Sequence, residues 1–273
     1  MIYLFDAKNR QTHGQYLEKS FKQRYFFFHE YRGWDVCHSF FKMEIDQYDD
    51  ACAIYLISID HKGRIMGGIR ATNTSAKSYI SEFHGKDIYD PAYPARFNKN
   101  TWEMYRLWVS NPTWKSHSGH KVRTELMLSL MEYLADFGAK YVLATGDIPH
   151  LKKIPHCWQL KEIGPRYKYK ERRYDEKEAF LAEIKVSKSI VEQTKRALGY
   201  EGKHYVRAES SLEAKPSIFT PDDFYLMNNW LRLNPEHIEI AQSISANINI
   251  DPNAVIQFKE YLILAAAAKS LAS

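Results

Sequence analysis

The sequence predicts an α/β sandwich built on a mostly antiparallel sheet. Two strand-like segments, residues 51–60 and 64–72, are rich in β-branched residues and are separated by a His-Lys-Gly turn, which is typical of a hairpin. A long helical pattern over 119–137 then lies between further strand-like segments. Because a hairpin pairs its strands antiparallel, this order of elements excludes a doubly wound parallel sheet.

The first predicted element is an amphipathic helix over 13–31. Its apolar side chains recur at every third or fourth position from Leu17 to Phe28, and Gly33 ends it. After the hairpin, residues 73–100 are polar and contain prolines, so we expect a long loop with one helical turn. Residues 101–110 are rich in aromatic and apolar side chains and are predicted to form the next strand.

The second half begins with the helix over 119–137. Its apolar stripe runs from Val122 to Phe137, and Gly138 closes it. The remaining elements predicted in this part are, in order, a strand, a short helix and two strands, at 139–147, 151–157, 161–169 and 178–186.

After residue 188 the pattern becomes helical. Thr-Pro, Asn-Pro and Asp-Pro steps at 220, 234 and 251 each place a capping side chain before a first-turn proline. The alanine run at 265–268 would allow close helix packing. We therefore predict a domain over 1–187 and a C-terminal helical extension over 188–273, whose helices are candidates for an oligomer interface.

Composition narrows the class of protein. The 38 Lys and Arg against 33 Asp and Glu give a net charge of +5, which is too mild to indicate a nucleic-acid binder. Three scattered cysteines favour a reducing compartment over a disulfide framework. The longest apolar run, near 261–268, is far too short to span a membrane, and the start does not resemble a signal peptide. We expect a cytoplasmic protein with no membrane span and no nucleic-acid partner.

Four short segments carry the charged and aromatic residues that could do chemistry. In chain order these residues are Arg24, Phe28, Trp34, Asp46, Asp49, Arg70, Glu103 and Arg106. A strand arginine near carboxylates is usually part of a structural ion pair, so each segment alone is unspecific. Strict alternation along 101–110 would put Glu103 and Arg106 on opposite faces of the strand. They share a face only if a β-bulge intervenes.

Together, the order and spacing of these residues resemble the acyl-homoserine lactone synthases, the autoinducer synthases of quorum sensing. The resemblance covers residues 2–186, and the later segment Cys-Trp-Gln-Leu-Lys-Glu-Ile-Gly-Pro adds weakly to it. It implies an α/β/α fold related to the GNAT N-acyltransferases. It also implies a transferase that makes N-acyl-homoserine lactones from S-adenosylmethionine and an acyl thioester, with release of methylthioadenosine. S-adenosylmethionine is then a substrate, and neither a cofactor nor a metal is expected.

The resemblance also implies roles for single residues. Glu103 and Arg106 are the candidate catalytic residues, with Glu103 acting as a base through a water molecule. The S-adenosylmethionine site would be shaped by a buried charge network and by two aromatic rings. The network would consist of Arg24, Asp46, Asp49, Arg70 and Arg106, and the rings would be those of Phe28 and Trp34. Plain core packing is the alternative for the two rings.

The acyl thioester would be carried by acyl carrier protein or by coenzyme A. Candidates for the acyl pocket are Phe83, Trp102, Met127, Met131, Leu143 and Thr145, for which ordinary core packing is the alternative. A basic cluster could dock the acidic carrier protein through Lys152, Lys153, Arg166, Lys168 and Arg172. The alternative for this cluster is a solvated strand and loop.

The sequence departs from the family at Tyr105, because the family commonly has Ser before the Arg of its Glu-x-Ser-Arg signature. The segment Ser-His-Ser-Gly-His-Lys is also too sparse in glycine for a GNAT pyrophosphate loop. Two other functions therefore stay open. One is an acyltransferase that makes a linear N-acyl amino acid, and the other is a non-catalytic GNAT-like binding module.

Overall fold

The computed structural model describes residues 1–36, 42–50, 52–75, 78–83, 97–110, 117–147, 158–171, 174–209 and 212–215. In these ranges the chain forms a nine-stranded sheet with the strand order β6-β8-β5-β4-β3-β2-β1-β9, and β7 pairs with β8. The strands are β1 Ile2–Phe5, β2 Ile54–Ile59, β3 Ile65–Asn73, β4 Thr101–Val109, β5 Tyr141–Asp147, β6 Leu160–Glu162, β7 Tyr167–Glu171, β8 Tyr174–Lys185 and β9 Tyr205–Arg207.

Most strand pairs in this sheet are antiparallel. Among the described strands, only the β1–β9 and β4–β5 pairs are parallel. Strand β2 pairs antiparallel with both β1 and β3, β3 with β4, and β8 with each of β5, β6 and β7. The predicted α/β class with a mostly antiparallel sheet is therefore confirmed.

Helices cover both faces of the sheet. They are α1 Gly14–Arg24, a π-helical segment Tyr25–Tyr31, α2 Tyr79–Phe83, α3 His117–Phe137 and α4 Lys188–Leu198. On one face, α3 and α4 pack on side chains such as Ile69 and Met104 in the larger apolar core. On the other face, α1 and the π-helical segment pack on side chains such as Tyr55 and Trp108. Alternation along the strands sends neighbouring side chains into the two cores.

Two predicted elements are divided in the structure. The helix predicted over 13–31 changes from α to π geometry at Tyr25, which apolar recurrence alone cannot distinguish. It ends before Gly33, whose φ of 72° favours glycine. The strand predicted over 161–169 is interrupted near Pro165, because proline has no backbone N–H to donate to β8. The predicted short helix at 151–157 lies outside the described residues.

Residues after 187 continue the same sheet. Helix α4 packs beside α3, and β9 pairs with β1 at the sheet edge. Neither β1 nor β9 is predicted from the sequence, because four and three residues are too few to show a periodicity. Residues 216–273 lie outside the described ranges, so the helical extension there stays a prediction. Where the structure describes the chain, no helix has both the length and the apolar character that a membrane crossing requires.

A buried ion pair joins α4 to α3. The Nζ of Lys195 lies 2.5 Å from Oε1 of Glu132, and both side chains are at most one tenth exposed. The other oxygen of Glu132 accepts the backbone N–H of His204 at 2.9 Å, just before β9. One carboxylate therefore holds both the helix and the strand that follow residue 187.

We predict that Lys195→Ala lowers the free energy of unfolding by about 3 kcal/mol, because it leaves Glu132 buried without its cation. Urea denaturation would measure the change. Lys188→Ala is the matched control, since the Lys188 side chain is 74% exposed and lies 3.7 Å from Asp136; we expect a loss below about 0.5 kcal/mol. Equal losses in the two variants would contradict this role for the Glu132 carboxylate.

Candidate active site

A network of six buried charged side chains lies on the α1 face of the sheet, within the part of the chain that the structure describes. Its members are Arg24, Glu44, Asp46, Asp49, Arg70 and Arg106. The guanidinium of Arg24 binds both oxygens of Asp49, at 2.7 and 3.0 Å, and its Nε binds Glu44 at 2.5 Å. Three cations and three anions give the network no net formal charge.

Two arginines from the sheet complete the network. Arg70 in β3 binds both oxygens of Asp46 at 2.7 Å and also contacts Asp49 at 2.5 Å. Arg106 in β4 binds Glu44 at 2.9 Å and Asp46 at 3.2 Å. Paired, hydrogen-bonded geometry of this kind is what allows buried charges to be retained.

The network keeps Asp49 ionised. Burial opposes charge on Asp49, but the guanidinium groups of Arg24 and Arg70 outweigh it and lower the pKa of Asp49 well below its usual range. Burial likewise opposes charge on Arg70, and Asp46 and Asp49 nevertheless raise the pKa of Arg70 well above its usual value. The phenol of Tyr55 adds a further hydrogen bond, to Asp49 at 3.0 Å.

A β-bulge brings Arg106 to this face. Between the Gly68–Trp108 and Arg70–Tyr105 pairs, β3 has one residue whereas β4 has two, Arg106 and Leu107. Arg106 has a φ of 58°, in the left-handed region that non-glycine residues rarely adopt. The condition stated from the sequence is met, and Glu103 and Arg106 share one face of the strand.

The structure gives these two residues different partners. Arg106 pairs with Glu44 and Asp46. The Glu103 carboxylate is fully buried and accepts hydrogen bonds from the hydroxyl of Ser78 and from the backbone N–H of Tyr79, the latter at 2.9 Å. Burial raises the pKa of Glu103 to about 7, and these donors oppose the rise. A carboxyl with this pKa is matched to base catalysis near neutral pH.

The two predicted aromatic residues lie next to the charge network. The rings of Phe28 and Trp34 stack at 5.1 Å, and Arg32 lies over Trp34 at 4.8 Å. The guanidinium carbon of Arg106 is 5.6 Å from the Phe28 ring. Phe28 is buried, and Trp34 is partly buried against the same core.

Three tyrosine rings pack together between the charge network and Glu103. Tyr105 stacks on Tyr79 at 5.4 Å and lies under Arg70 at 4.4 Å, and Tyr48 packs edge-on against Tyr79. The Tyr105 hydroxyl is hydrogen-bonded to Thr72 at 2.6 Å. The residue that departs from the family signature is therefore part of a packed aromatic cluster.

The acyl-pocket candidates divide between the two faces of the sheet. Leu143 faces Glu103 across the β4–β5 pair and lies in a small apolar cluster with Ile80, Ile163 and Leu181. Thr145 is hydrogen-bonded to Tyr167. On the opposite face, the core that α3 covers contains Trp102, Met127 and Met131. Phe83 ends α2, and its side chain lies outside the described residues.

Two of the candidates for docking a carrier protein, Arg166 and Lys168, are paired with acids. Arg166 contacts Glu162 at 2.9 Å and Glu178 at 3.3 Å, and Lys168 contacts Glu176 at 2.8 Å. These pairs are exposed and reduce the local excess of positive charge. The candidates Lys152, Lys153 and Arg172 lie outside the described residues.

Sequence reasoning missed Glu44, Ser78 and Tyr79. Glu44 belongs to the same acidic string as Asp46 and Asp49, so its position was visible but its pairing was not. Ser78 lies in the segment predicted as a loop, where its hydroxyl accepts the Ser81 N–H at 3.0 Å as helix caps do. Within the described ranges, no group of three or more His, Cys, Asp and Glu side chains is placed to hold a metal ion.

A relative of this chain is found among known proteins. Isovaleryl-homoserine lactone synthase of Bradyrhizobium diazoefficiens is 28% identical over 144 residues, which cover 53% of this chain and 63% of that protein. The chain thus spans less than two thirds of the length of this relative.

Two solved structures share the fold. A CoA-dependent acyl-homoserine lactone synthase, BjaI, with SAM and isopentyl-CoA superimposes with a TM-score of 0.64 at 22% identity, over 78% of this chain and 95% of that one. A second CoA-dependent synthase, MesI, gives a TM-score of 0.62 at 24% identity, over 76% and 99%.

The family comparison covers most of the chain. The model of the autoinducer synthase family matches residues 7–192. This range contains the whole charge network and its bulge, together with Glu103 and the segment that holds it. The chain belongs to the autoinducer synthase family.

Proposed function

We propose that the protein is an acyl-homoserine lactone synthase, which acylates S-adenosylmethionine and then closes the lactone. The observation that carries the proposal is the juxtaposition of a neutral, buried charge network with a buried carboxyl whose pKa is about 7, inside the family match. The charge network could orient a zwitterionic substrate, and the Glu103 carboxylate could remove a proton from it.

In the first step, Glu103 acts as the base through a water molecule. The α-ammonium of S-adenosylmethionine has an ordinary pKa of about 8, so a carboxylate near 7 can accept its proton at modest cost. The amine attacks the thioester carbonyl, a C–N bond forms, and the C–S bond breaks as the thiolate leaves and is protonated.

Backbone groups could stabilise the oxyanion of this step. The paired register of β4 and β5 runs from Thr101 and Tyr141 to Met104 and Ala144, although both strands continue. Backbone N–H groups just beyond that point would be available to a carbonyl oxygen. The site would then hold the thioester beside Glu103 and Leu143.

In the second step, the methionine carboxylate attacks its own γ-carbon. A C–O bond forms, the bond from carbon to the sulfonium breaks, and methylthioadenosine leaves as a neutral molecule. The negative carboxylate and the positive sulfonium cancel, so no proton is needed. Holding the chain folded supplies the proximity that an intramolecular closure requires.

Residues near the network are proposed to bind S-adenosylmethionine. Asp46 is 5% exposed, more than Glu44 or Asp49, and would contact the substrate amine. Phe28 and Trp34, which stack on each other, would contact the remainder of the molecule. Arg24, Arg70 and Arg106 would fix the acids in place and so shape this site.

The donor is proposed to be a coenzyme A thioester. Two proteins with this fold are described as CoA-dependent, and Arg166 and Lys168 are already paired with glutamates. The name of the Bradyrhizobium relative makes isovaleryl-CoA the first thioester to test. The acyl chain would lie against Leu143 and its apolar neighbours.

Mass spectrometry of a reaction with S-adenosylmethionine and a panel of acyl-CoA and acyl-carrier-protein thioesters tests the proposal. Formation of methylthioadenosine together with an acyl-homoserine lactone supports it and names the donor. Acyl transfer to an amino acid without methylthioadenosine would instead assign a linear N-acyl amino acid synthase. No product with any thioester would contradict catalysis and favour a binding module.

Glu103→Gln is expected to keep the fold and to lower kcat by at least about 100-fold, because an amide cannot accept the proton. Initial rates of methylthioadenosine release would measure the loss. An unchanged melting temperature would separate lost chemistry from lost structure. Full activity in this variant would remove Glu103 from the role of base.

We expect kcat/KM to rise with pH through a midpoint near 7, because Glu103 with a pKa of about 7 must be ionised to act. Below the midpoint, the rate should fall about tenfold for each pH unit as the carboxyl becomes protonated. A profile that is flat between pH 5.5 and 8 would contradict this assignment.

S-adenosylmethionine at 100 times its Kd should stabilise the wild-type protein by about 2.7 kcal/mol. We predict that Trp34→Ala binds at least about tenfold more weakly, because an aromatic contact with the substrate is lost. Phe26→Ala is the control, since Phe26 is 46% exposed on the π-helical segment that precedes Trp34. Equal stabilisation of both variants would contradict a contact between Trp34 and the substrate.

A further inference from the structure

Ser78 is the residue immediately before α2, and it is 7% exposed. Its hydroxyl oxygen accepts the Ser81 N–H at 3.0 Å, and its own proton points to Oε1 of Glu103. A serine hydroxyl has a single proton to donate. The capping bond from Ser81 therefore orients the hydroxyl so that this proton goes to the carboxylate.

The other oxygen of Glu103 is held by the backbone of the same segment. Oε2 accepts the Tyr79 N–H at 2.9 Å, and the Ile80 N–H also bonds the carboxylate. Among the described residues, Ser78 thus supplies the side-chain donor to Glu103, and the other donors are backbone N–H groups. A single substitution can remove that donor while the backbone bonds persist.

The elements around Glu103 carry few charges. On β3 and β5 the facing residues are Thr72 and Leu143, neither of which titrates. On its own strand, Tyr105 is uncharged at neutral pH because burial raises its pKa further. On α2, Glu82 opposes ionisation of Glu103, and Tyr79 is likewise an uncharged phenol whose pKa burial raises. The guanidinium groups nearby are bound to the acids of the network.

We propose that Ser78 is a positioning residue for Glu103, whose hydroxyl fixes the orientation of the carboxylate and favours its ionised form at neutral pH. This inference rests on the proposed function for its catalytic meaning. Among the described residues no cation is paired with Glu103, so burial and neutral donors decide the balance between the protonated acid and the carboxylate. Loss of one hydrogen-bond donor therefore favours the protonated form of Glu103.

The principal test compares Ser78→Ala with wild type in the pH dependence of kcat/KM. We expect the midpoint to move up by about one pH unit, which lowers the rate about fivefold at pH 7 and leaves it nearly unchanged at pH 9. Ser78→Thr keeps the hydroxyl and should restore the wild-type midpoint. Ser81→Ala is the matched control, since it removes an exposed hydroxyl from α2 and keeps the backbone N–H.

A second measurement needs no turnover. Titration of the protein labelled with ¹³C at the glutamate δ-carbon would follow Glu103 directly, with Glu103→Gln identifying its resonance. We expect the Glu103 pKa to be higher in Ser78→Ala than in wild type and unchanged in Ser81→Ala. If Ser78→Ala fails to fold, Ser78→Cys, whose thiol is a weak donor, should give an intermediate pKa.

The two measurements separate the two proposals. Absence of synthase activity in the wild type would contradict the proposed function, and the titration would still decide the role of Ser78. A rate that falls equally at every pH, with an unmoved carboxyl titration, would overturn the inference, because it would show that Ser78 only supports the fold. Failure of Ser78→Thr to restore the midpoint would also overturn it.

Discussion

The site depends on the pairing of six charged side chains in a network that has no net formal charge. Removing one partner of a buried ion pair commonly costs about 3–5 kcal/mol, because the remaining charge is left without compensation. The three arginines come from the end of α1, the middle of β3 and the bulge of β4, and the three acids come from one segment, residues 44–49. The pairing therefore fixes how helix, sheet and segment lie together, and with them the rings of Phe28 and Trp34, which follow α1.

The irregularity of β4 follows from the same constraint. A non-glycine residue in the left-handed region costs about 1–3 kcal/mol and persists only when its surroundings demand it. Arg106 is held there by Glu44 and Asp46. The bulge that results also lies just beyond Met104, where the recorded pairing with β5 ends. One local distortion thus serves the network and coincides with the point at which a thioester could approach the strands.

Periodicity predicts the hairpin, α3, β4, β5 and β8 from their apolar patterns, but it does not predict β1, which is four residues long. Periodicity does not predict the break between β6 and β7, where Pro165 interrupts the pairing with β8, or β9, which is only three residues long. For the site, the order of residues indicates which side chains belong to it. Alternation along the strand also predicts that Glu103 and Arg106 can share a face only if a β-bulge intervenes. Spacing does not encode partners, so neither the pairing of Arg106 with Glu44 nor the bond between Ser78 and Glu103, 25 positions apart, can be read from the sequence.

The choice of partner has a chemical consequence. Had Arg106 paired with Glu103, the guanidinium would have lowered the pKa of Glu103 and left a weak base. Glu44 and Asp46 occupy Arg106 instead, so the fixed charges are satisfied among themselves. Glu103 then depends on burial and neutral donors, and its pKa of about 7 lies close to that of the amine it is proposed to deprotonate. A network of paired charges beside a carboxyl that can change its protonation state is the arrangement proposed for acyl transfer to an ammonium substrate.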